Sequence, residues 1–171
     1  MLREDLGTTC LEIQIVNRDE FEKLVIPDKG AACICVYNNS FNARNIFDAD
    51  GHAKCDIIGL NFQDVEEGEP GCMNMQQSAK IARFVLDNIR RIDKLIVSCD
   101  GGTCRSPAIA AAIMVKLGLD DFIIWRNGKF VPNMHVFKTT LRGLFMGNIP
   151  DIDIAEREAV NLKAWKELND I

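Results

Sequence analysis

Cys99 and Arg105 stand with five residues between them in KLIVSCDGGTCRSPAIAAAIM, where a β-branched run meets an alanine-rich segment. A thiolate is the reactive form of cysteine. A guanidinium fork grips two oxygens of one phosphate, which lysine cannot do. Between them Gly101 and Gly102 free the backbone to aim successive N–H groups at one point, forming an anion nest with Asp100, Thr103 and Cys104. Ser106 reads as a helix N-cap and Pro107 as the first helical residue. The helix would then begin at the nest, adding its unpaired N–H groups and dipole. Ser106 is also placed to hydrogen-bond the Cys99 sulfur. The chemistry these types suit is attack by sulfur on a bound tetrahedral oxyanion.

Such a turn needs a strand before it and a helix after it, and the flanking sequence supplies both. Lys94 to Ser98 reads as the strand that delivers Cys99, and the helix beyond stops near Gly118. Upstream, LEIQIV alternates as a strand, Asp19 to Val25 reads as a short helix, and Ala31 to Tyr37 as a buried strand. Asn38 to Lys54 is loop-like, Cys55 to Phe62 is a further strand, and an acidic loop follows. From Asn74 the apolar residues Ile81, Phe84, Val85, Ile89 and Ile92 recur at helical spacing. Another helix opens near Asn133, with Met134, Phe137, Leu141, Leu144 and Phe145 on one side. A last helix fits 151–171, with Ala155, Ala159, Leu162 and Trp165 facing inward. Strands alternating with helices predict an α/β fold, a central mostly parallel sheet flanked by helices. Residues 1–150 are expected to form the domain that carries this turn, and 151–171 a C-terminal helix packed on it.

The 171 residues favour one domain, and 47% hydrophobic with 26% charged residues is an ordinary globular balance. A net charge of −5 argues against nucleic acid or anionic lipid as partner. No leader pattern and no membrane-length apolar run appear, so a cytoplasmic, monomeric protein is expected. The seven cysteines include Cys10, Cys33, Cys35, Cys55 and Cys72, and an odd number suggests reduced thiols. Cys33 and Cys35 read as small core residues, and His52 and His135 as structural or surface residues. No metal or cofactor is called for.

With these residues in view, the stretch resembles the cysteine-dependent phosphatases, whose phosphate loop is Cys-x5-Arg-Ser/Thr. Cys99, Gly101 and Cys104-Arg105-Ser106-Pro107 are similar to the low-molecular-weight tyrosine phosphatases and related arsenate reductases. The order along the chain is similar instead to the compact dual-specificity phosphatases, in which an aspartate loop and a helix precede the cysteine strand. Gly102, Arg105-Ser106 and Pro132-Asn133 with Phe137 and Leu141 fit that branch. The resemblance covers roughly Ile57 to Phe145. It implies a protein phosphatase acting on phosphotyrosine, and on phosphoserine or phosphothreonine as a further class, through a phosphocysteine intermediate. Ser98 departs from it: the family carries histidine before the cysteine.

Cleaving a phosphomonoester needs a general acid for the departing oxygen. The resemblance implies an aspartate about thirty residues upstream on a loop after a strand, by the motif spacing. Asp64 fits, with Glu66, Glu67 and Glu69 as alternatives. Cys104 either fills the place of a serine or, as the low-molecular-weight branch implies, forms a disulfide with Cys99; Cys72 is a further partner. Asp100 within the loop disfavours multiply phosphorylated substrates. Two other readings stay open: a phosphate-binding module without turnover, and an arsenate reductase-like thiol enzyme. A sulfur transferase of the rhodanese kind has a shorter loop and fits less well. The expected partner is a phosphorylated protein or a small phosphomonoester.

Overall fold

A computed structural model describes residues 11–39 and 43–171. Cys10 and positions 40–42 of the polar stretch lie outside the described residues. Four strands, β1 (Glu12–Val16), β2 (Ala31–Val36), β3 (Asp56–Leu60) and β4 (Lys94–Cys99), form one sheet in the order β1-β4-β2-β3. Every pairing is parallel, with Ile34 beside Val97 and Ile15 beside Val97 from the other side. The fold is therefore α/β with a fully parallel sheet flanked by helices, as the alternation of elements predicts.

The helices of the described residues are α1 (Arg18–Lys23), α2 (Met75–Asn88), α3 (Arg105–Leu117), α4 (Phe122–Trp125), α5 (Met134–Leu144) and α6 (Ile154–Leu168), with a 3-10 turn at Arg44–Ile46. The described residues include no helix long and apolar enough to cross a membrane. Strand alternation sorts the core. Leu95, Val97 and Cys99 of β4 face a cluster built with α2, α3 and α5, whereas Ile96 faces Cys33, Cys35, Phe21 and Tyr37 on the α1 side. Cys33 and Cys35 are fully buried core residues, as their strand predicts. Burial pushes the Cys35 thiol up to about 12.

α2 begins with a capping box between Asn74 and Gln77 and buries Ile81, Phe84 and Val85. α3 is buried from Arg105 to Met114, and its alanines let it lie close against the sheet and α5. Burying each large side chain here contributes roughly 1.5–3 kcal/mol. Trp125 packs edge-on to Phe137 with centroids 5.0 Å apart.

The structure adds one element to the sequence reading and corrects one face. The four-residue α4 has no expected counterpart, being too short to show a helical period. The inward side of α6 is not the predicted apolar stripe: Leu162 is 52% and Trp165 36% exposed, while Arg157 and Asn161 are buried. Arg157 Nε donates to Asp121 Oδ2 at 2.7 Å and its Nη2 to Oδ1 at 2.9 Å, a bidentate pair. Asn161 Nδ2 donates to the carbonyls of Trp125 and Phe130. A polar seam, absent from any hydrophobic pattern, thus docks α6 onto the α4 region.

Candidate active site

Parallel strands bring all their carboxyl ends to one edge, where ligands of open α/β sheets bind. Each of the four contributes here. β1 leads into Asn17 and Arg18, β2 into Tyr37 and Asn38, β3 into Phe62 and Asp64, and β4 ends at Cys99.

The Cys99 side chain is buried beneath the loop that follows it. Its sulfur accepts the Gly102 N–H at 3.2 Å and lies 3.1 Å from Ser106 Oγ. Both partners come from the loop, so the sulfur is held at its floor. Gly102 has φ +68°, the left-handed region, and a Cβ there would stand 2.8 Å from the Asn17 backbone nitrogen. Only glycine fits. Gly101, read from sequence as a second such residue, is not among the positive-φ glycines; one reversal suffices to turn the N–H of residue 102 onto the sulfur.

Ser106 is not the helix cap. Cys104 occupies that position, with no side-chain cap bond, and the helix begins at Arg105. The physical reason is that the Ser106 hydroxyl faces the Cys99 sulfur instead, the second role its position allowed. The loop is pinned from behind: the Thr103 carbonyl accepts from Val131 N at 2.8 Å and the Cys104 carbonyl from Asn133 N at 3.1 Å.

Arg105 is buried, with 4% relative exposure, and both of its Nη atoms are bonded. Nη1 donates to Asn38 Oδ1 at 2.6 Å and to the Phe62 carbonyl at 2.8 Å, while Nη2 meets Asp100 Oδ2 at 2.9 Å. Asp100 Oδ2 also accepts the Asn38 N–H at 3.0 Å, and Asp100 Oδ1 lies 3.4 Å from Arg18 Nη1. Asp100 is thus a counter-ion to the loop arginine.

Ser98, which precedes Cys99, is fully buried. Its hydroxyl lies 2.6 Å from Tyr37 Oη and donates to the Asn17 carbonyl at 3.4 Å. Burial pushes the Tyr37 phenol up, and because Ser98 gives its one hydrogen to the Asn17 carbonyl, Tyr37 is the donor to Ser98. A chain from Tyr37 through Ser98 to Asn17 therefore braces the strand end that carries Cys99.

Asp64 is exposed on the loop after β3. Asn133 Nδ2 donates to its Oδ1 at 2.8 Å and to the Val65 carbonyl at 3.1 Å. The same Asn133 caps α5 through its Oδ1 to Val136 N at 3.0 Å. Asp64 and Cys104 line one cavity, which places the loop after β3 beside the loop after β4. Glu66 and Glu69 line that cavity too, with Glu66 N donating to Glu69 Oε2 at 3.0 Å. The Cys104 thiol is pushed up to about 11, chiefly by burial, with Thr103 opposing and Asp64 adding to the rise. Cys99, Cys104 and Cys72 are free thiols.

His135 is structural, its Nε2 2.8 Å from the Met73 carbonyl, and His52 is exposed beside Asp48. Sequence reasoning gave no role to Asn38, Tyr37 or Arg18. Their signal was positional: each stands within two residues of a strand's carboxyl end, at the edge where β4 delivers Cys99.

No protein-family model matches the chain, and no curated protein does. Among solved structures it is similar to one described as "Crystal structure of Tk-PTP in the active form", at 15% identity over 92% of this chain and 88% of that one, with a TM-score of 0.38. The chemistry of the site rests on its own geometry.

Proposed function

We propose that this protein hydrolyses phosphomonoesters through a phosphocysteine at Cys99. One observation carries the reading. The Cys99 sulfur lies under a glycine-turned loop, 3.2 Å from Gly102 N and 3.1 Å from Ser106 Oγ, with the buried Arg105 closing the same loop.

In the first step the Cys99 thiolate attacks phosphorus in line. The S–P bond forms as the ester P–O bond breaks, and Asp64 gives its proton to the departing oxygen. Loop N–H groups and Arg105 stabilise charge on the equatorial oxygens. In the second step the Asp64 carboxylate takes a proton from water as that water attacks phosphorus. The S–P bond breaks, inorganic phosphate leaves, and Ser106 steadies the thiolate by hydrogen bonding. The substrate class is a phosphoprotein, with phosphotyrosine first and phosphoserine or phosphothreonine after it. This rests on the family resemblance and on Asp100, whose carboxylate repels clustered phosphates.

A second reading, a phosphate-binding module without turnover, is favoured by Ser98, whose hydroxyl bonds to Tyr37 and Asn17 and supplies no charge beside Cys99. An arsenate reductase-like relay is less favoured, since Cys104 held near 11 is mostly thiol at neutral pH.

Hydrolysis of p-nitrophenyl phosphate by wild type, Cys99→Ser and Asp64→Asn separates these. The phosphatase reading expects turnover by wild type, none by Cys99→Ser, and a loss of about 10²–10⁴-fold in Asp64→Asn. Oxyanion binding without turnover in the wild type would establish the module instead.

A further inference from the structure

Beside the loop a cavity of about 650 Å³ opens between Asp64 and Cys104 on one side and α6 on the other. Its apolar walls include Trp125, Val131, Leu162 and Trp165. Its charged lining consists of Asp64, Glu66, Glu69 and Glu158, with no lysine, arginine or histidine among the lining residues. The proposed reaction uses one of those carboxylates and leaves the rest of the cavity without a task.

This arrangement is built by α6. The Arg157 and Asn161 seam turns the helix so that Leu162 and Trp165 lie partly uncovered along the cavity instead of in the core. The result is a trough with aliphatic and aromatic sides and an acidic rim. A long aliphatic stem ending in a cation matches it: the stem packs on apolar walls while the head stays near water and carboxylates. The Trp165 ring adds a face suited to a cation. An acidic side chain would meet like charge, and a purely apolar one would leave the rim without a partner.

Resting on the phosphatase reading, we infer that this cavity is a specificity subsite for a lysine or arginine side chain flanking the phosphorylated residue of a peptide. The phosphate seats in the 99–106 loop, and the neighbouring basic residue reaches across Asp64 into the trough.

The test uses the full chain and a set of phosphotyrosine peptides identical except for one flanking residue, placed at each flanking position in turn as Arg, Leu or Glu. At one position or more, kcat/KM for the Arg peptide should exceed that for the Leu and Glu peptides by about five- to tenfold, the range of a few partly solvated ion pairs. The advantage should shrink at high salt. Glu158→Lys, an exposed change on α6, should abolish the Arg preference while leaving p-nitrophenyl phosphate turnover unchanged. That substrate has no flank, so it reports the proposed activity separately. Where the wild type fails to turn over p-nitrophenyl phosphate, peptide affinities are measured by fluorescence anisotropy, and the same ranking is expected. Equal rates or affinities for Arg and Leu peptides at every position, a preference for Glu, or an Arg preference that survives Glu158→Lys would each overturn the subsite.

Discussion

Asp100 Oδ2 and Arg105 Nη2 lie 2.9 Å apart, so the guanidinium that the reaction needs for phosphate already holds a carboxylate. A carboxylate offers the same paired oxygens as an anionic substrate. Asp100 therefore competes with the incoming phosphate for part of Arg105, while Asn38 and the Phe62 carbonyl hold the other side of the fork.

Removing that competition should tighten oxyanion binding. In Asp100→Asn the inhibition constant for inorganic phosphate is expected to fall by about tenfold, equivalent to ~1.4 kcal/mol. Arg105 keeps its contact to the Phe62 carbonyl, and the Asn38 N–H that Asp100 accepts can bond to the amide oxygen that replaces the carboxylate. The gain should diminish as ionic strength rises. Weaker phosphate inhibition would show that Asp100 positions the arginine instead of opposing the ligand.

Asn133 joins the acid loop to the phosphate loop, through Asp64 and Val65 on one side and the Cys104 carbonyl on the other. Asn133→Asp separates its roles. Aspartate caps a helix as well as asparagine does. It cannot donate to Asp64, and it sets a second carboxylate beside the first. The expected outcome is a denaturation midpoint close to wild type with kcat reduced by about tenfold or more. Unchanged kcat would remove Asn133 as the positioning residue of the acid.

Gly102→Ala combines two costs. The left-handed backbone costs a side-chain residue about 1–2 kcal/mol, and the clash with Asn17 adds about 1–3 kcal/mol. Chemical denaturation should register a loss of roughly 2–5 kcal/mol. Turnover should fall with it, because the N–H that meets the Cys99 sulfur moves. A variant as stable and active as wild type would mean that the loop adopts another turn.

Cys104 provides a pH prediction. Burial favours the neutral thiol, so its pKa rises to about 11 and the thiolate fraction is small below that value. Alkylation of Cys104 by iodoacetamide, followed by peptide mass spectrometry, should accelerate about tenfold per pH unit between pH 8 and pH 10. It should level off only near pH 11. A plateau near the ordinary cysteine range would show an exposed thiol, one able to serve a redox relay with Cys99.

Much of this site was legible because its chemistry is local in sequence. Cys99, Gly102, Arg105 and Ser106 lie within eight positions of one another, and strand–turn–helix patterning sets their geometry. The strands and long helices were equally legible, since burial of one face leaves a period of 2 or 3.6. Polar contacts between distant segments leave no such trace. The hydroxyl pair of Tyr37 and Ser98, the Asn38 grip on Arg105 and the Arg157–Asp121 ion pair bridge 61, 67 and 36 positions. The same limit explains α6. Leu162 and Trp165 look like core residues by type, yet their helix is docked by Arg157 and Asn161, and no apolar period records that. Ser106 illustrates a different case: two roles fitted its position, and the nearness of the sulfur decided between them.

The most direct test of the central claim is the intact mass of the protein after rapid acid quench during turnover of p-nitrophenyl phosphate. A fraction of the wild type should carry one added phosphoryl group, mapped by fragmentation to Cys99; because p-nitrophenolate departs with little help from an acid, Asp64→Asn, whose second step lacks its base, should carry a larger fraction. Steady turnover with no phosphorylated Cys99 in either protein, or with the phosphoryl group on another residue, would contradict the account.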